Sequence, residues 1–309
     1  MFARQLNQIR IELSITPKAP ILIRSGRKGA DPTRPDLECV RTEWGGRKSV
    51  YIPGSSLKGV MRSHAERLLL SEEVKVTPTL PARSPFKQRE EGMKVYAGTS
   101  PLGRTFGNLG VKSHTAVSDH LPGAFDEPGS PQREQEVERA NRIEQRNGVA
   151  IDRLLGVAAG KALFDQELVV QGRFDGHIVL RNVQLYQLAL ILFVLRDLNE
   201  GYLQLGSGTS RGNGWVSAEV RQVVIETRLR QSRPGVLQGV GPLMREDGRF
   251  YDLFNGDEVR LPAGLESVPR LVWDQLTVSG PQLDDLAGAL VQGPWAEFMK
   301  QARGRKWEG

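Results

Sequence analysis

The chain has a single cysteine, Cys39, among its 309 residues. One thiol excludes both an internal disulfide framework and a zinc site built from several cysteines. Low cysteine content is typical of a reducing compartment, so we expect a cytoplasmic protein. A lone cysteine is more often a small buried residue than a nucleophile, and we expect Cys39 to be buried.

Long apolar runs are also missing. The N-terminal residues lack the continuous apolar core of a signal peptide. The most apolar run, residues 185–195, is too short to cross a bilayer and is interrupted by Tyr186 and Gln187. We therefore expect a soluble protein with no membrane partner.

The common catalytic and metal-binding motifs are absent as well. No HExxH motif occurs, and His64, His114, His120 and His177 do not have metal-ligand spacing with each other or with the cysteine. No serine lies in a nucleophile elbow, so Ser/His/Asp catalysis has no support. We expect His64 on a helix surface, and His114 and His120 in a loop close to Asp119.

What the chain does have is a modest excess of positive charge. Lys and Arg number 42 against 36 Asp and Glu, which gives a net charge of +6. These cations crowd segments rich in Gly and Pro, namely 23–34, 87–94 and 206–212. Basic loops of this kind can follow a row of phosphates, so the composition is compatible with a polyanionic partner.

The most informative segment is IPGSSLKGVMR, from Ile52 to Arg62. Its Pro-Gly pair predicts a turn, and Ser55 or Ser56 is a candidate N-cap for the helix that follows. Lys58 lies off the apolar stripe of that helix, near the free amides of the first turn, and this arrangement favours an anion such as phosphate. The alternative is a capped amphipathic helix whose lysine is only solvated.

A second phosphate-binding candidate is the glycine-rich loop from Gly206 to Gly214. It combines the hydroxyls of Ser207, Thr209 and Ser210 with the guanidinium of Arg211, a set that suits phosphodiesters. It matches neither a Walker A loop nor the dinucleotide GxGxxG spacing, which disfavours a nucleotide-hydrolysing enzyme. The alternative is a flexible connection between strands.

Periodicity along the chain predicts an α+β fold. The elements expected are a strand over 9–15, a helix over 55–70, a long irregular stretch over 71–148, strand over 167–180, a helix over 183–198, a short strand before the glycine-rich loop, and a strand over 215–225. This order is typical of an antiparallel ferredoxin-like or RRM-like unit with large insertions. After about residue 230 we expect strand near 261–278 and helix near 281–302, either as an extra layer or as an appendage.

Acidic residues lie in the loop between the first strand and the IPGSSLKG turn. Asp31, Asp36 and Glu38 could hold a divalent cation or help to activate a 2′-hydroxyl. Solvated loop carboxylates are more common, and the residues alone favour that interpretation.

Taken together, these segments resemble the RAMP superfamily of CRISPR-associated proteins, and within it the backbone subunits of type III effector complexes. The resemblance covers about residues 9–225 and rests on the segments APILIRSG, PDLECVRT with VYIPGSSLKGVMRSHAERL, PLGRTFGNLG, RNGVAIDRLLGVAAGKALFDQE and GSGTSRGNGWV. It implies an RRM-like domain over 1–228 that contains an insertion over about 71–165, and a C-terminal extension over 229–309. PLGRTFG lacks the cysteine often found near that position in the family.

The resemblance also implies RNA partners. Several copies would stack along a CRISPR RNA beside other effector subunits, and a β-hairpin thumb, here about 142–162, would push between bases of the guide–target duplex. Guide RNA of any sequence would be bound through backbone contacts that do not specify bases, and target RNA would be chosen by base pairing. The implied RNA-binding residues are Ser55, Ser56, Lys58, Arg62, Arg146, Arg153, Lys161, Ser207, Thr209, Ser210 and Arg211.

Active members of the family cut target RNA with an aspartate in the loop before the IPGSSLKG turn. Here Asp36 fits that placement and Asp31 is the fallback. The implied cofactor is a divalent cation, Mg²⁺ or Mn²⁺, held transiently by Asp36, and we expect no tightly bound metal. Two alternatives stay open: a structural subunit that does not cut, and a ribonuclease that processes the CRISPR transcript, which usually needs a histidine or tyrosine as acid–base.

Overall fold

The computed structural model describes residues 4–24, 35–76, 89–151, 158–244 and 251–307. The helices in these ranges are α1 Gly54–Ser71, α2 Arg89–Gly98, α3 Pro101–Phe106, α4 Pro131–Ala140, α5 Leu185–Glu200, α6 Val240–Met244, α7 Gln282–Leu290 and α8 Ala296–Ala302. The strands are β1 Asn7–Pro17, β2 Arg41–Trp44, β3 Arg47–Val50, β4 Thr115–Val117, β5 Leu121–Pro122, β6 Ile143–Ile151, β7 Ala158–Val169, β8 Phe174–Arg181, β9 Val216–Arg228, β10 Val236–Gln238, β11 Glu258–Arg260, β12 Val268–Arg270 and β13 Trp273–Ser279.

The main sheet has the topology of a ferredoxin-like fold. Its strand order is β12-β13-β9-β1-β8-β4, with antiparallel pairing throughout, and β5 also pairs with β8. Taking β1, β4, β8 and β9 as the four core strands gives the chain order β-α-β-β-α-β with α1 and α5 as the two helices. The spatial order of those strands is 4-1-3-2, so the predicted α+β class and ferredoxin-like core are confirmed.

The alternating pattern at the N-terminus produces the central strand. Ile9, Ile11, Leu13 and Ile15 of β1 are all fully buried, whereas Arg10 on the opposite face is exposed. Successive side chains of a strand point to opposite faces, so this alternation directs one apolar row into the core. The same core cluster contains Leu57, Met61 and Ala65 of α1 and much of α5.

The region expected to be irregular, 71–148, is more ordered than its sequence indicates. The charged run PQREQEVERA forms α4, whose first turn is capped by the Ser130 hydroxyl, and α2, α3, β4 and β5 also lie in this region. Of the prolines that the structure describes in this region, Pro101 and Pro131 stand at a first helical position, where proline is tolerated, and Pro122 lies in β5. The single strand expected over 167–180 is in fact two strands. Residues 167–169 end β7, residues 174–180 form most of β8, and residues 170–173 separate them. The short strand expected before the glycine-rich loop is not formed, since residues 202–205 are turn and coil.

The resemblance implies a hairpin over about 142–162, and the hairpin formed by β6 and β7 begins at Ile143 but extends further, to Val169. β6 and β7 pair antiparallel from Ile143↔Val169 to Ile151↔Ala158, and this two-stranded ribbon is separate from the main sheet. Gly148 lies opposite Phe164, whose ring occupies the space that a side chain at Gly148 would need.

The C-terminal region extends the main sheet. β13 pairs with the outer side of β9, and the edge strand β12 pairs with β13 through Val268, Pro269 and Arg270. Apolar side chains of β13, α7 and α8 belong to the same core cluster as β1 and α5. The strand and helix expected in this region are therefore present, and they are packed onto the sheet.

PLGRTFG holds the C-terminal region in place. Arg104 is fully buried, donates to the carbonyl oxygens of Thr99 and Ala97, and reaches the carbonyl oxygen of Asp252 at 2.9 Å. Its guanidinium also lies against the rings of Phe254 and Trp307.

No helix in the described residues combines the length and the apolar character that a membrane crossing requires.

Candidate functional site

The glycine-rich loop, the base of the hairpin and the loop that carries Asp36 meet around the short segment 20–24; the Asp36 loop reaches it through the N–H of Val40, which donates to the Ile23 oxygen at 2.9 Å. On one side, Gly214 donates its N–H to the Pro20 oxygen at 2.8 Å, and Ser207 donates to the Leu22 oxygen at 2.8 Å. On the other side, Ile21 exchanges two backbone hydrogen bonds with Val169 of β7. The glycine-rich loop and the base of the hairpin are thus fixed on opposite edges of one segment.

The close approach of the glycine-rich loop depends on two glycines. Gly206 has φ +90°, and a Cβ there would lie 2.5 Å from the Leu22 oxygen. Gly214 has φ +91°, and a Cβ there would lie 2.5 Å from the Leu205 oxygen. Both the left-handed backbone and the lack of space exclude a side chain, so these glycines shape the loop rather than only loosening it.

The polar groups of this loop face outward. A turn of 3₁₀-helix spans Thr209–Arg211, and Ser210 and Arg211 are exposed. Within the described residues, no hydrogen bond or ion pair engages the side chains of Ser207, Thr209, Ser210 or Arg211. The guanidinium of Arg211 instead lies 5.4 Å from the centre of the Phe164 ring, which links the loop to the hairpin.

Asp36 lies beside the same hairpin. Its carboxylate is exposed and accepts a hydrogen bond from the N–H of Asp165 at 3.3 Å, while Leu37 exchanges two backbone hydrogen bonds with the β7 residues Asp165 and Glu167. Since Asp165 directly follows Phe164, the Asp36 loop and the glycine-rich loop contact neighbouring residues of one strand. Asp31 lies outside the described residues.

An ion pair between the buried Glu167 and the exposed Arg41 fixes this loop. The Glu167 carboxylate accepts from the N–H of Cys39 at 2.9 Å and pairs with the Arg41 guanidinium at 2.9 Å. Burial, with the nearby Glu167 charge, raises the pKa of the Cys39 thiol to about 12. Cys39 is therefore a buried thiol rather than a nucleophile, as the sequence predicts.

The start of α1 has a different capping arrangement from the one expected. Neither Ser55 nor Ser56 caps it: the helix begins at Gly54 after Pro53, with no side-chain cap from the N-cap residue. The N–H of Gly54 instead donates to the carboxylate of Asp119 at 2.8 Å. Asp119 thus supplies negative charge at the positive end of the helix from another part of the chain.

The cations of α1 are directed inward. The Lys58 ammonium donates to the Ser113 hydroxyl and to the Thr115 carbonyl oxygen, both at 2.8 Å, and Arg62 donates to the Gly107 oxygen at 2.8 Å. Burial, with the charge of Arg62, lowers the pKa of Lys58. Both side chains connect α1 to segment 107–115, whereas Ser55 is exposed on the helix surface.

The cations expected on the hairpin are only partly described. Arg146 is exposed and forms an ion pair with Glu144 of the same strand at 2.7 Å. Lys161 lies in β7, but its side chain falls outside the described residues, as does Arg153 altogether.

The histidines lie in different surroundings from those expected. His64 is 8% exposed, and its Nε2 lies 2.7 Å from the carboxylate of Asp197, which connects α1 to α5. His114 and His120 are 2% and 0% exposed, and burial lowers the pKa of each to about 4. A histidine at i and an aspartate more than 130 residues later give no signal in the sequence, so the His64–Asp197 pair could not be foreseen.

A divalent cation would have few protein ligands here. In the parts of the chain that the structure describes, no three His, Cys, Asp or Glu side chains are placed to hold a metal ion. Asp36 keeps one carboxylate oxygen that the Asp165 N–H does not engage. Mg²⁺ is often held by one or two carboxylates together with substrate phosphates, so an exposed single carboxylate fits a cation that arrives with a phosphate-bearing ligand.

Comparison with known proteins places the chain in one family and shows similarity to solved structures. A family model described as the RAMP superfamily matches residues 15–217, more than half of the chain. A chain from a solved structure titled "Type IV-B CRISPR Complex" is 21% identical, with a TM-score of 0.47, over 68% of this chain and 90% of that one. Among curated proteins, none matches this sequence.

Proposed function

The chain belongs to the RAMP superfamily, and we propose that it is a cytoplasmic, RNA-binding backbone subunit of a type III CRISPR effector complex that also cuts target RNA. The observation that carries this proposal is the meeting of the glycine-rich loop, the hairpin base and the Asp36 loop around segment 20–24. The partners would be a guide RNA, its target, further copies of this chain and other effector subunits.

RNA binding is supported by the groups that the glycine-rich loop leaves open. Three hydroxyls and one guanidinium lie on a loop that close backbone hydrogen bonds hold in place. Such groups donate to phosphate oxygens without reading bases, which suits a subunit that must accept guides of any sequence.

Cutting would use the RNA as its own source of nucleophile. Asp36 would accept the proton of the 2′-hydroxyl next to the scissile phosphate, and that oxygen would attack the phosphorus. The bond to the 5′-oxygen would break, the leaving oxygen would take a proton from water, and the products would carry a 2′,3′-cyclic phosphate and a 5′-hydroxyl. A divalent cation held by Asp36 and by RNA phosphates would supply charge neutralisation at that phosphate.

A second role for Asp36 is supported by the same hydrogen bond. Its carboxylate accepts from the Asp165 N–H, so it also braces the loop against the hairpin. In a structural subunit that binds RNA without cutting, Asp36 would have this bracing role alone. In a transcript-processing ribonuclease the acid–base would have to be the half-buried His177 or an exposed tyrosine such as Tyr202, because His64, His114 and His120 are buried.

Two substitutions at one position separate these roles. Asp36→Asn keeps an oxygen that can accept from the Asp165 N–H but is not a base, whereas Asp36→Ala removes both properties. The assembled complex with guide would be incubated with labelled complementary RNA and Mg²⁺ or Mn²⁺, and binding and cutting would be measured separately. We expect both variants to bind target normally and both to stop cutting.

Other outcomes point elsewhere. Cutting by Asp36→Asn at the unaltered rate would reduce Asp36 to a brace, and cutting that is lost only in Asp31→Ala would transfer the role to Asp31. A target with a single 2′-deoxy substitution at the cut site is the substrate control, since it binds by the same base pairs but has no attacking hydroxyl.

A further inference from the structure

Two large aromatic side chains are exposed directly beside the glycine-rich loop. Tyr202 is 70% exposed and Trp215 is 42% exposed. Trp215 directly follows Gly214, the last residue of the loop, and Tyr202 lies four residues before Gly206. Fold stability does not account for exposed aromatic surface of this size, and large exposed apolar side chains that lie together commonly mark binding sites.

The backbone that carries these rings is firmly held. The carbonyl oxygen of Trp215 accepts hydrogen bonds from the N–H groups of both Lys18 and Ala19, at 2.8 and 3.0 Å. The N–H of Tyr202 donates to the Asp197 oxygen at 2.9 Å, at the end of α5. The two rings are therefore presented on ordered backbone, with little ordering cost left for a ligand to overcome.

The ring of Trp215 is also fixed in its position. Gly201 ends α5 in the left-handed conformation, with φ +85°, and the Trp215 ring occupies the space that a Cβ at this position would need, at 2.4 Å. Tyr202 is the next residue, so its backbone lies close to the Trp215 ring. Near these residues, the ammonium of the exposed Lys18 donates a hydrogen bond to the backbone oxygen of Asn199 at 3.3 Å.

We propose that Trp215 and Tyr202 form a stacking platform for nucleobases of the RNA whose phosphates lie on the glycine-rich loop. The proposal rests on the RNA-binding function above and adds to it a contact with bases. Aromatic side chains bind unpaired bases through their faces, with little dependence on sequence, and often lie beside a basic groove that follows the phosphates. The platform thus complements the phosphate contacts without making the protein selective for one guide.

The test uses two single-stranded RNA oligonucleotides of equal length, one normal and one in which the ribose units lack bases. Both have the same phosphates, so the difference in their affinities isolates base contacts. For Trp215→Ala we expect roughly tenfold weaker binding of the normal RNA, an unchanged affinity for the abasic RNA, and an unchanged salt dependence for both. Tyr202→Ala, at a more exposed position, should show the same pattern to a smaller extent.

Trp215→Phe is the matched control. It keeps an aromatic face, so normal RNA should bind nearly as tightly as to the unaltered chain, while the part of the tryptophan fluorescence that normal RNA quenches should disappear. Thermal melting of each variant checks that the fold is retained.

The outcomes separate this inference from the function on which it rests. Equal weakening of normal and abasic RNA by both Trp215→Ala and Tyr202→Ala would overturn the platform and leave RNA binding intact. If the unaltered chain bound neither oligonucleotide, RNA binding and the platform would both be wrong.

Discussion

The start of α1 and the glycine-rich loop have similar sequences of glycines, hydroxyls and cations, yet their cations face in opposite directions. Lys58 and Arg62 donate to acceptors in segment 107–115 and are partly buried. Arg211 is exposed, and its guanidinium lies over the face of the Phe164 ring. The first region uses positive charge to hold the fold together, and the second presents it to solvent.

This difference shows what a motif can hide. A lysine near a helix start predicts a bound anion. The lysine needs no such anion where the tertiary structure brings protein oxygen atoms close enough to accept its hydrogen bonds. At α1 the acceptors are Ser113 and Thr115, and the negative charge at the helix end is Asp119, all more than fifty residues away in sequence.

The largest effect on stability is expected at Lys58. Lys58→Met removes two hydrogen bonds from a partly buried ammonium and leaves the Ser113 hydroxyl and the Thr115 oxygen with one donor fewer. We expect the free energy of unfolding to fall by roughly 1.5–3 kcal/mol, as is typical of hydrogen bonds to charged groups, with no change in the salt dependence of RNA binding. Denaturant titration and RNA titrations at several salt concentrations measure the two quantities.

Lys48→Met is the control for that change, because Lys48 is an exposed lysine on β3 and its loss should barely alter stability. If Lys58→Met instead lowered the salt slope by about the amount expected for one phosphate, Lys58 would contact RNA as its motif predicts, and the contrast between the two regions would fail.

The reverse result is expected at Arg211. Arg211→Ala should weaken RNA binding and reduce the slope of log K against log salt by roughly 0.7, the value for one phosphate contact with a single strand. The free energy of unfolding should change by at most about 1 kcal/mol, since only an exposed cation–π contact is lost. Arg230→Ala, beyond the other end of β9, removes the same charge and should leave the slope nearer its original value. Equal slopes for the two variants would show that Arg211 acts only through its general charge and does not contact a particular phosphate.

A smaller effect is expected at the cap of α1. Asp119→Ala leaves the Gly54 N–H without its carboxylate and should cost about 1 kcal/mol, as is usual for a lost helix cap. Asp119→Asn keeps an acceptor oxygen and should recover part of that loss. Ser55→Ala is the control from the original capping hypothesis and should be nearly neutral; if Ser55→Ala were the costlier change in denaturant titration, the serine would be the cap after all.

Much of the fold could be predicted because its signals are local. The alternation of Ile9, Ile11, Leu13 and Ile15 with polar residues is visible within a few positions of the sequence. It predicts a strand with one apolar face, and that strand is β1. The run over 183–198 likewise became α5, within two residues at each end. The helices of 71–148 were missed because their short, proline-punctuated segments are stabilised by packing rather than by a repeating apolar stripe.

The candidate site was predictable in part. The glycine-rich loop follows from its residues and the hairpin from the family resemblance, but their contact through Arg211 and Phe164 joins residues 47 positions apart and has no sequence pattern. The Asp36 loop was placed near them by resemblance alone, and the hydrogen bond to Asp165 is a tertiary feature.

The outer strand of the sheet carries a further consequence. Pro269 pairs with Asp274 between Val268 and Arg270, whose own N–H groups face β13. In this three-residue strand, proline therefore occupies the one position that would point an N–H to the open side, and proline has none to offer. The middle of this short edge therefore offers an approaching strand no N–H donor, which disfavours extension of the sheet by strand addition on the β12 side.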